Sequence, residues 1–133
     1  MSLALSPELE RLIALAREVQ KRAYAPYSRF LVGAALETRS GKLFSGCNVE
    51  NATYGATICA ERGAIMQMVA AGERELVRVA VVTDAPEPAM PCGICRQVLV
   101  EFGTDVEIAC AVPSGVRVLT LRELFPEPFR LKP

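Results

Sequence analysis

The sequence predicts an α/β fold, a three-layer α/β/α sandwich whose mixed five-strand sheet ends in an antiparallel hairpin. Three features carry that reading. Val77 to Val82 and Val106 to Val112 are apolar runs rich in β-branched residues, the pattern of strands covered on both faces. Each follows a stretch of helix formers, and the alternation of strand, helix and strand implies right-handed parallel crossovers. Only Pro113-Ser114-Gly115 then separates the second run from Val116 to Leu119, which permits a hairpin but no parallel crossover.

The remaining elements follow in chain order. Ser6-Pro7-Glu8 reads as a helix start, with a hydroxyl cap, a proline at the first helical position and an acid near the positive end of the dipole. Leu9, Leu12, Ile13, Ala16 and Val19 continue at helical spacing, and Pro26 is expected to end the helix. Phe30 to Leu36 and Lys42 to Cys47 flank Arg39-Ser40-Gly41 and read as a β-hairpin. From Ile58 to Ala71 a buried helix places Ile58, Ile65, Met68 and Val69 near one face, and Gly72 marks its end. A second such helix spans Cys92 to Phe102. Thr120 to Leu124 is a short helical turn that the tail Phe125-Pro126-Glu127-Pro128-Phe129 cannot continue. No Gly/Ser-rich linker, repeat or low-complexity tract interrupts the chain, so residues 1–133 read as a single domain.

Composition removes several function classes. Fifteen basic residues balance fifteen acidic ones with no basic block, so the electrostatic footprint of a nucleic-acid binder is missing and a small neutral substrate fits better. The hydrophobic content of 51% is high for 133 residues, and part of the surplus is expected to face other subunits. The start of the chain lacks a signal-peptide pattern, and no run approaches the roughly 18 apolar residues of a membrane span, so a soluble, cytoplasmic protein is expected. In that setting the five cysteines are reduced thiols rather than a disulfide framework. Histidine is absent, which excludes Ser-His-Asp and Cys-His mechanisms and leaves carboxylates, thiolates or a metal to do the chemistry.

The strongest signal is Cys59-Ala60-Glu61 joined, 30 residues further on, by Pro91-Cys92-Gly93-Ile94-Cys95. Each half begins a predicted helix, where partial positive charge favours the thiolate that zinc requires. Three thiolates from Cys59, Cys92 and Cys95 leave a fourth tetrahedral position open, the mark of a catalytic zinc at which water becomes acidic enough to act as a nucleophile. Glu61, two residues from a ligand, is placed to move protons without binding the metal. Three thiolates on a dication leave net negative charge, and Arg62 is a better candidate than Arg96 to offset it by hydrogen bonding to the sulfurs. A structural zinc knot with a fourth ligand, or a redox Cys-x-x-Cys, would use the same cysteines but would leave Glu61 without a role. Cys47 and Cys110 could supply the fourth ligand, but each lies inside a strand pattern, where a buried small hydrophobe is the simpler account.

These residues follow the general zinc-deaminase signature of a histidine or cysteine, a glutamate, and then P-C-x-x-C. With Pro26-Tyr27-Ser28-Arg29-Phe30, Val32-Gly33-Ala34, Gly46-Cys47-Asn48-Val49-Glu50-Asn51-Ala52 and Tyr54-Gly55, the chain resembles the small, tetrameric, three-cysteine cytidine deaminases over nearly its whole length. The resemblance implies one zinc per subunit and hydrolysis of cytidine and deoxycytidine to uridine and deoxyuridine plus ammonia in pyrimidine salvage, with Glu61 as the proton shuttle. It also implies that Asn48 and Glu50 bind the ribose hydroxyl, that Phe30 lines the base pocket, and that Ala60 offers backbone groups to the base. Tyr54 is expected in the pocket wall or in a neighbouring subunit's site. Phe129 matches a C-terminal aromatic that stacks on the cytosine of a neighbouring subunit in a homotetramer, although the extra proline around it departs from the family pattern.

Deaminases of nucleic acids and nucleotides resemble one another in a parallel final strand reached through a helix, so by that resemblance the final hairpin implies a free nucleoside; the neutral charge agrees, and Glu50 near the sugar would repel a phosphate. A deaminase of a cytosine-containing antibiotic such as blasticidin S, and a noncatalytic zinc-binding module, are the alternatives.

Overall fold

A computed structural model describes residues 5–133. The chain folds into helix α1 (Pro7–Gln20), strands β1 (Gly33–Thr38) and β2 (Leu43–Cys47), helix α2 (Ala60–Ala70) and strand β3 (Leu76–Val82). Helix α3 (Gly93–Val100), strands β4 (Glu107–Val112) and β5 (Gly115–Thr120), and the short helix α4 (Leu121–Leu124) complete it. The five strands form one sheet in the order β2-β1-β3-β4-β5. Only β3 and β4 run parallel; the other neighbouring pairs are antiparallel, including the predicted hairpin in which Val112 faces Gly115.

Alternation along the strands divides the interior into two apolar layers. On one face, Leu9, Leu12, Ile13 and Ala16 of α1 pack against Ala35, Ala80, Val82, Ala109 and Ala111. Small alanines let the helix lie close to the sheet, and the cap predicted at Ser6 is present, its hydroxyl accepting the Leu9 N–H at 3.2 Å. On the other face, Ile65 and Met68 of α2 and Leu99 and Val100 of α3 cover Leu36, Val79, Val81, Ile108 and Cys110. This is the three-layer sandwich the sequence predicts. No described helix is long and apolar enough to cross a membrane.

Two expectations fail, for one shared reason. Helix α1 stops at Gln20, six residues before Pro26, because the segment after it is drawn across to the start of the site. Gln20 donates its side-chain amide to the Leu31 carbonyl, Tyr24 N–H bonds to Asn48 O at 2.9 Å, and Glu50 N–H returns to Tyr24 O at 2.8 Å. The first strand likewise begins at Gly33 rather than Phe30 and extends to Thr38. Phe30 and Val32 are held by the side chain of Asn48 instead of by a ladder. The turn between β1 and β2 falls where predicted, with Gly41 at φ 90°, a conformation that favours glycine.

Candidate metal centre and active site

Cys59 and Cys92 are the N-cap residues of α2 and α3, and neither uses its side chain to cap the helix. The sequence places both at helix starts, and the structure sets each one residue before its helix, with the sulfur not engaged in capping. Cys95 lies in the first turn of α3 and is fully buried. Two helix starts thus aim their positive ends at one point, which stabilises anionic sulfur. The three Sγ atoms lie within 4.8 Å of one another. A tetrahedral zinc with Zn–S bonds of about 2.3 Å needs sulfurs roughly 4 Å apart, so the three residues fit that ion.

The charge on these sulfurs is managed locally. The Cys59 thiol is held down to about 5, first by the hydrogen bond it shares with Cys95 and then by Arg62, which opposes the effect of burial. Cys95 is pushed up, first by the same shared bond and then by burial. Arg62 donates from Nη2 to Cys59 Sγ at 3.3 Å and to Thr57 O at 3.2 Å. Arg96 instead donates to the carbonyls of Pro91 and Leu124, and so braces the loop before α3 rather than the sulfurs. Cys47 and Cys110 stay outside the cluster; Cys110 is buried in β4 with its sulfur 3.8 Å from Met90 Sδ.

A cavity of about 210 Å³ opens over the cluster. Cys59, Ala60, Glu61 and Cys92 form its polar end, and Phe30 and Asn48 lie in its wall. Glu61, in the first turn of α2, is 6% exposed, and burial pushes its carboxyl above the ordinary value. Val32, Val81, Thr83, Ala89 and Met90 complete the wall. None of these, nor Thr57, is read from the sequence as a site residue, because none carries a chemical signature; Thr83, Ala89 and Met90 reach the site because the chain between β3 and α3 passes beside it.

A wider cavity of about 430 Å³ adjoins the first, with Thr57 in the walls of both. Glu50 and Tyr54 line it together with Tyr27, Ser28 and Asn51. The Glu50 carboxylate accepts the N–H groups of Tyr27 and Ser28 at 3.0 and 3.1 Å and the Ser28 hydroxyl. Those bonds, led by the hydroxyl, hold its carboxyl below the ordinary range. Asn48 donates to Phe30 O at 2.8 Å and accepts from Val32 N at 2.9 Å, which fastens the wall bearing Phe30. Phe129 lines neither cavity of its own chain. It is 67% exposed beyond α3, where its carbonyl accepts from Gln97.

Three cysteines spaced to hold zinc, with a buried carboxyl beside them and a small cavity above, form a site suited to the zinc-dependent hydrolases. Comparison with known proteins narrows that class. Residues 6–111 match the cytidine and deoxycytidylate deaminase zinc-binding region, and the chain belongs to this family. It is 43% identical to a cytidine deaminase of Halalkalibacterium halodurans over 90% of this chain and 92% of that one. A cytidine deaminase of Sporosarcina psychrophila is 40% identical over 92% and 91% of the two chains. The crystal structure of cytidine deaminase from Burkholderia pseudomallei superposes with a TM-score of 0.86 at 46% identity, covering 90% of this chain and 98% of that one. The cofactor of the family is zinc, and Cys59, Cys92 and Cys95 are positioned to hold it.

Proposed function

We propose that this chain hydrolyses cytidine and deoxycytidine to uridine and deoxyuridine with release of ammonia. The observation that carries the reading is the shared wall: the three-cysteine cluster and Glu61 meet in one cavity, and that cavity continues past Thr57 to the carboxylate of Glu50. A pyrimidine ring fits the inner space and its sugar the outer one.

Zinc held by Cys59, Cys92 and Cys95 supplies the Lewis acidity that makes water a nucleophile near neutral pH. Glu61 takes the proton released as water attacks the amine-bearing ring carbon and passes it to the adjacent ring nitrogen; it then takes the proton of the hydroxyl now on that carbon and delivers it to the departing amine as the C–N bond breaks and the carbonyl forms. Water and cytidine thereby become uridine and ammonia with no proton left over. Ala60 occupies the first position of α2, where a backbone N–H has no partner within the helix and is free to donate to the ring carbonyl. Phe30 packs against the ring; Asn48 keeps Phe30 in place and, from the wall of the inner cavity, is the candidate partner of a ribose hydroxyl. Arg62 offsets the negative charge of the thiolates. Glu50 accepts a ribose hydroxyl, and its charge disfavours a phosphorylated sugar.

The reading extends to a cytoplasmic homotetramer with shared sites. Phe129, Tyr54, Ile94 and Leu131 are large apolar side chains between 63% and 82% exposed, more than a small lone chain needs to leave in water. Phe129 from one subunit would then reach the cavity of another and stack on the ring.

Ultraviolet absorbance of cytidine, with zinc-replete protein beside Glu61→Gln and a parallel sample of blasticidin S, tests the assignment. The parent should convert cytidine, and the variant should keep its zinc but lose about 10²- to 10⁴-fold in kcat. Bound zinc without turnover of cytidine would overturn the nucleoside reading, and turnover of blasticidin alone would replace it.

A further inference from the structure

The inner and outer cavities are joined by one irregular segment, Tyr27 to Val32, which contains the single described non-glycine residue with positive φ: Arg29, at 60°. A bulky residue in the left-handed region is held there only when its surroundings over-determine it. The bonds that do so run through Ser28. Its hydroxyl donates to Oε2 of Glu50 and accepts the Phe30 N–H at 3.0 Å, while its own N–H joins that of Tyr27 on Oε1. One hydroxyl is therefore committed on one side to the carboxylate of the outer cavity and on the other to the residue that walls the inner one. Phe30 has an independent anchor, since its carbonyl accepts from Asn48. The Glu50 backbone is tied to Tyr24, but its carboxylate has no such anchor: among the described residues its hydrogen bonds come from Tyr27 and Ser28.

We propose that Ser28 is a positioning residue for sugar recognition, its hydroxyl turning the Glu50 carboxylate so that a free lone pair faces the ribose hydroxyls. The proposal rests on the nucleoside reading above. It differs from a plain turn-stabilising role in a measurable way. A hydroxyl that only holds the loop affects every substrate alike, whereas one that acts through Glu50 affects only substrates with a hydroxyl for Glu50 to bind.

The experiment compares kcat and KM for cytidine and for 2′,3′-dideoxycytidine, which lacks the 2′- and 3′-hydroxyls and keeps only the 5′-hydroxyl, in the zinc-replete parent, Ser28→Ala and Ser28→Thr. Loss of one charge-assisted bond should raise KM for cytidine about tenfold, with kcat held within about twofold. The kcat/KM for dideoxycytidine should stay at the parent value, and Ser28→Thr should restore most of the cytidine KM. In a Glu50→Gln background, Ser28→Ala should add little. Equal losses on both substrates, or no loss on either, would overturn the proposal while leaving the activity intact. A parent that fails to deaminate cytidine would instead overturn the reading beneath it. Ser28→Gly removes the same hydroxyl and serves as the test if the alanine variant does not fold.

Discussion

A single methyl group at Gly46 should damage both the stability and the chemistry of this protein. Gly46 lies in β2 opposite Ala34, where the first turns of α2 cross the strand. A Cβ added there would meet Ala64 N at 2.5 Å, Ala60 O at 2.7 Å and the Gly63 carbonyl carbon at 2.9 Å. All three are helix backbone, so no side chain can rotate aside. Ordinary contact begins near 3.4 Å, and the 0.9 Å between 2.5 and 3.4 Å must come from moving the helix off the strand. Overpacking of this kind costs about 1–3 kcal/mol. The helix that moves carries Glu61 and begins at Cys59, and a displacement near 1 Å at a reacting group costs about 10²-fold in rate. Urea unfolding and kcat/KM on cytidine, measured on zinc-replete Gly46→Ala beside Gly63→Ala, separate this effect from a general intolerance of change. At Gly63 the new Cβ would approach nothing closer than Cys47 O at 3.7 Å, and alanine inside a helix should add about 0.5–1 kcal/mol. If Gly46→Ala unfolded at the parent's urea concentration and kept full activity, the close approach of β2 and α2 would not constrain the site, and the reasoning would fail.

Three further outcomes follow from contacts described by the structure. Arg78 on β3 bridges Glu37 at 3.0 Å and Glu107 at 3.1 Å, and the Glu37 side chain is only 10% exposed. Arg78→Leu should therefore destabilise by about 2 kcal/mol in urea unfolding, with part recovered on adding Glu37→Leu, since Arg11 at 3.9 Å is a weak substitute. The Glu123 carboxylate closes a capping box on α4 by accepting the Thr120 N–H and hydroxyl, and these bonds hold its carboxyl below the ordinary 4.5. Its contribution is complete above the unfolded-chain value and is lost as pH falls through the lower folded value, so Glu123→Gln should flatten the acid limb of a stability-against-pH curve. Treatment with a zinc chelator should release one zinc per chain and abolish turnover while exposing Cys59 and Cys92 to a thiol reagent. Cys110, buried and pushed up to about 12 by that burial, should remain unreactive until the chain unfolds.

The parts of this structure that were readable in the sequence are those with local causes. Ser6-Pro7 starts α1, Gly41 turns the first hairpin, and a connection of two residues, Pro113 and Ser114, forces the last two strands into antiparallel pairing. The ligand cysteines were readable because thiolate spacing on two helix starts has few other uses. The parts that were not readable depend on contacts across the chain. Nothing near Gln20 announces that α1 will stop there, because the cause is the pairing of Tyr24 with Asn48 and Glu50. Phe30 to Val32 have strand composition, yet a side chain far along the chain takes the hydrogen bonds a ladder would have used. Ser28 was visible as part of a motif, but its link to Glu50 was not, since that link joins residues far apart in the chain.

The sheet order also sets a timetable for assembly. Hairpins such as β1–β2 and β4–β5 join neighbouring segments and form on the scale of microseconds. Strand β3 has no such neighbour: it must find β1, paired Gly33 to Val82, and β4, paired Val82 to Ala111, by closing long loops on both sides. Cys59 belongs to the half of the molecule built before β3, and Cys92 and Cys95 to the half built after it. The three sulfurs therefore converge only once the central strand has docked, so a nascent chain should capture zinc no faster than that docking.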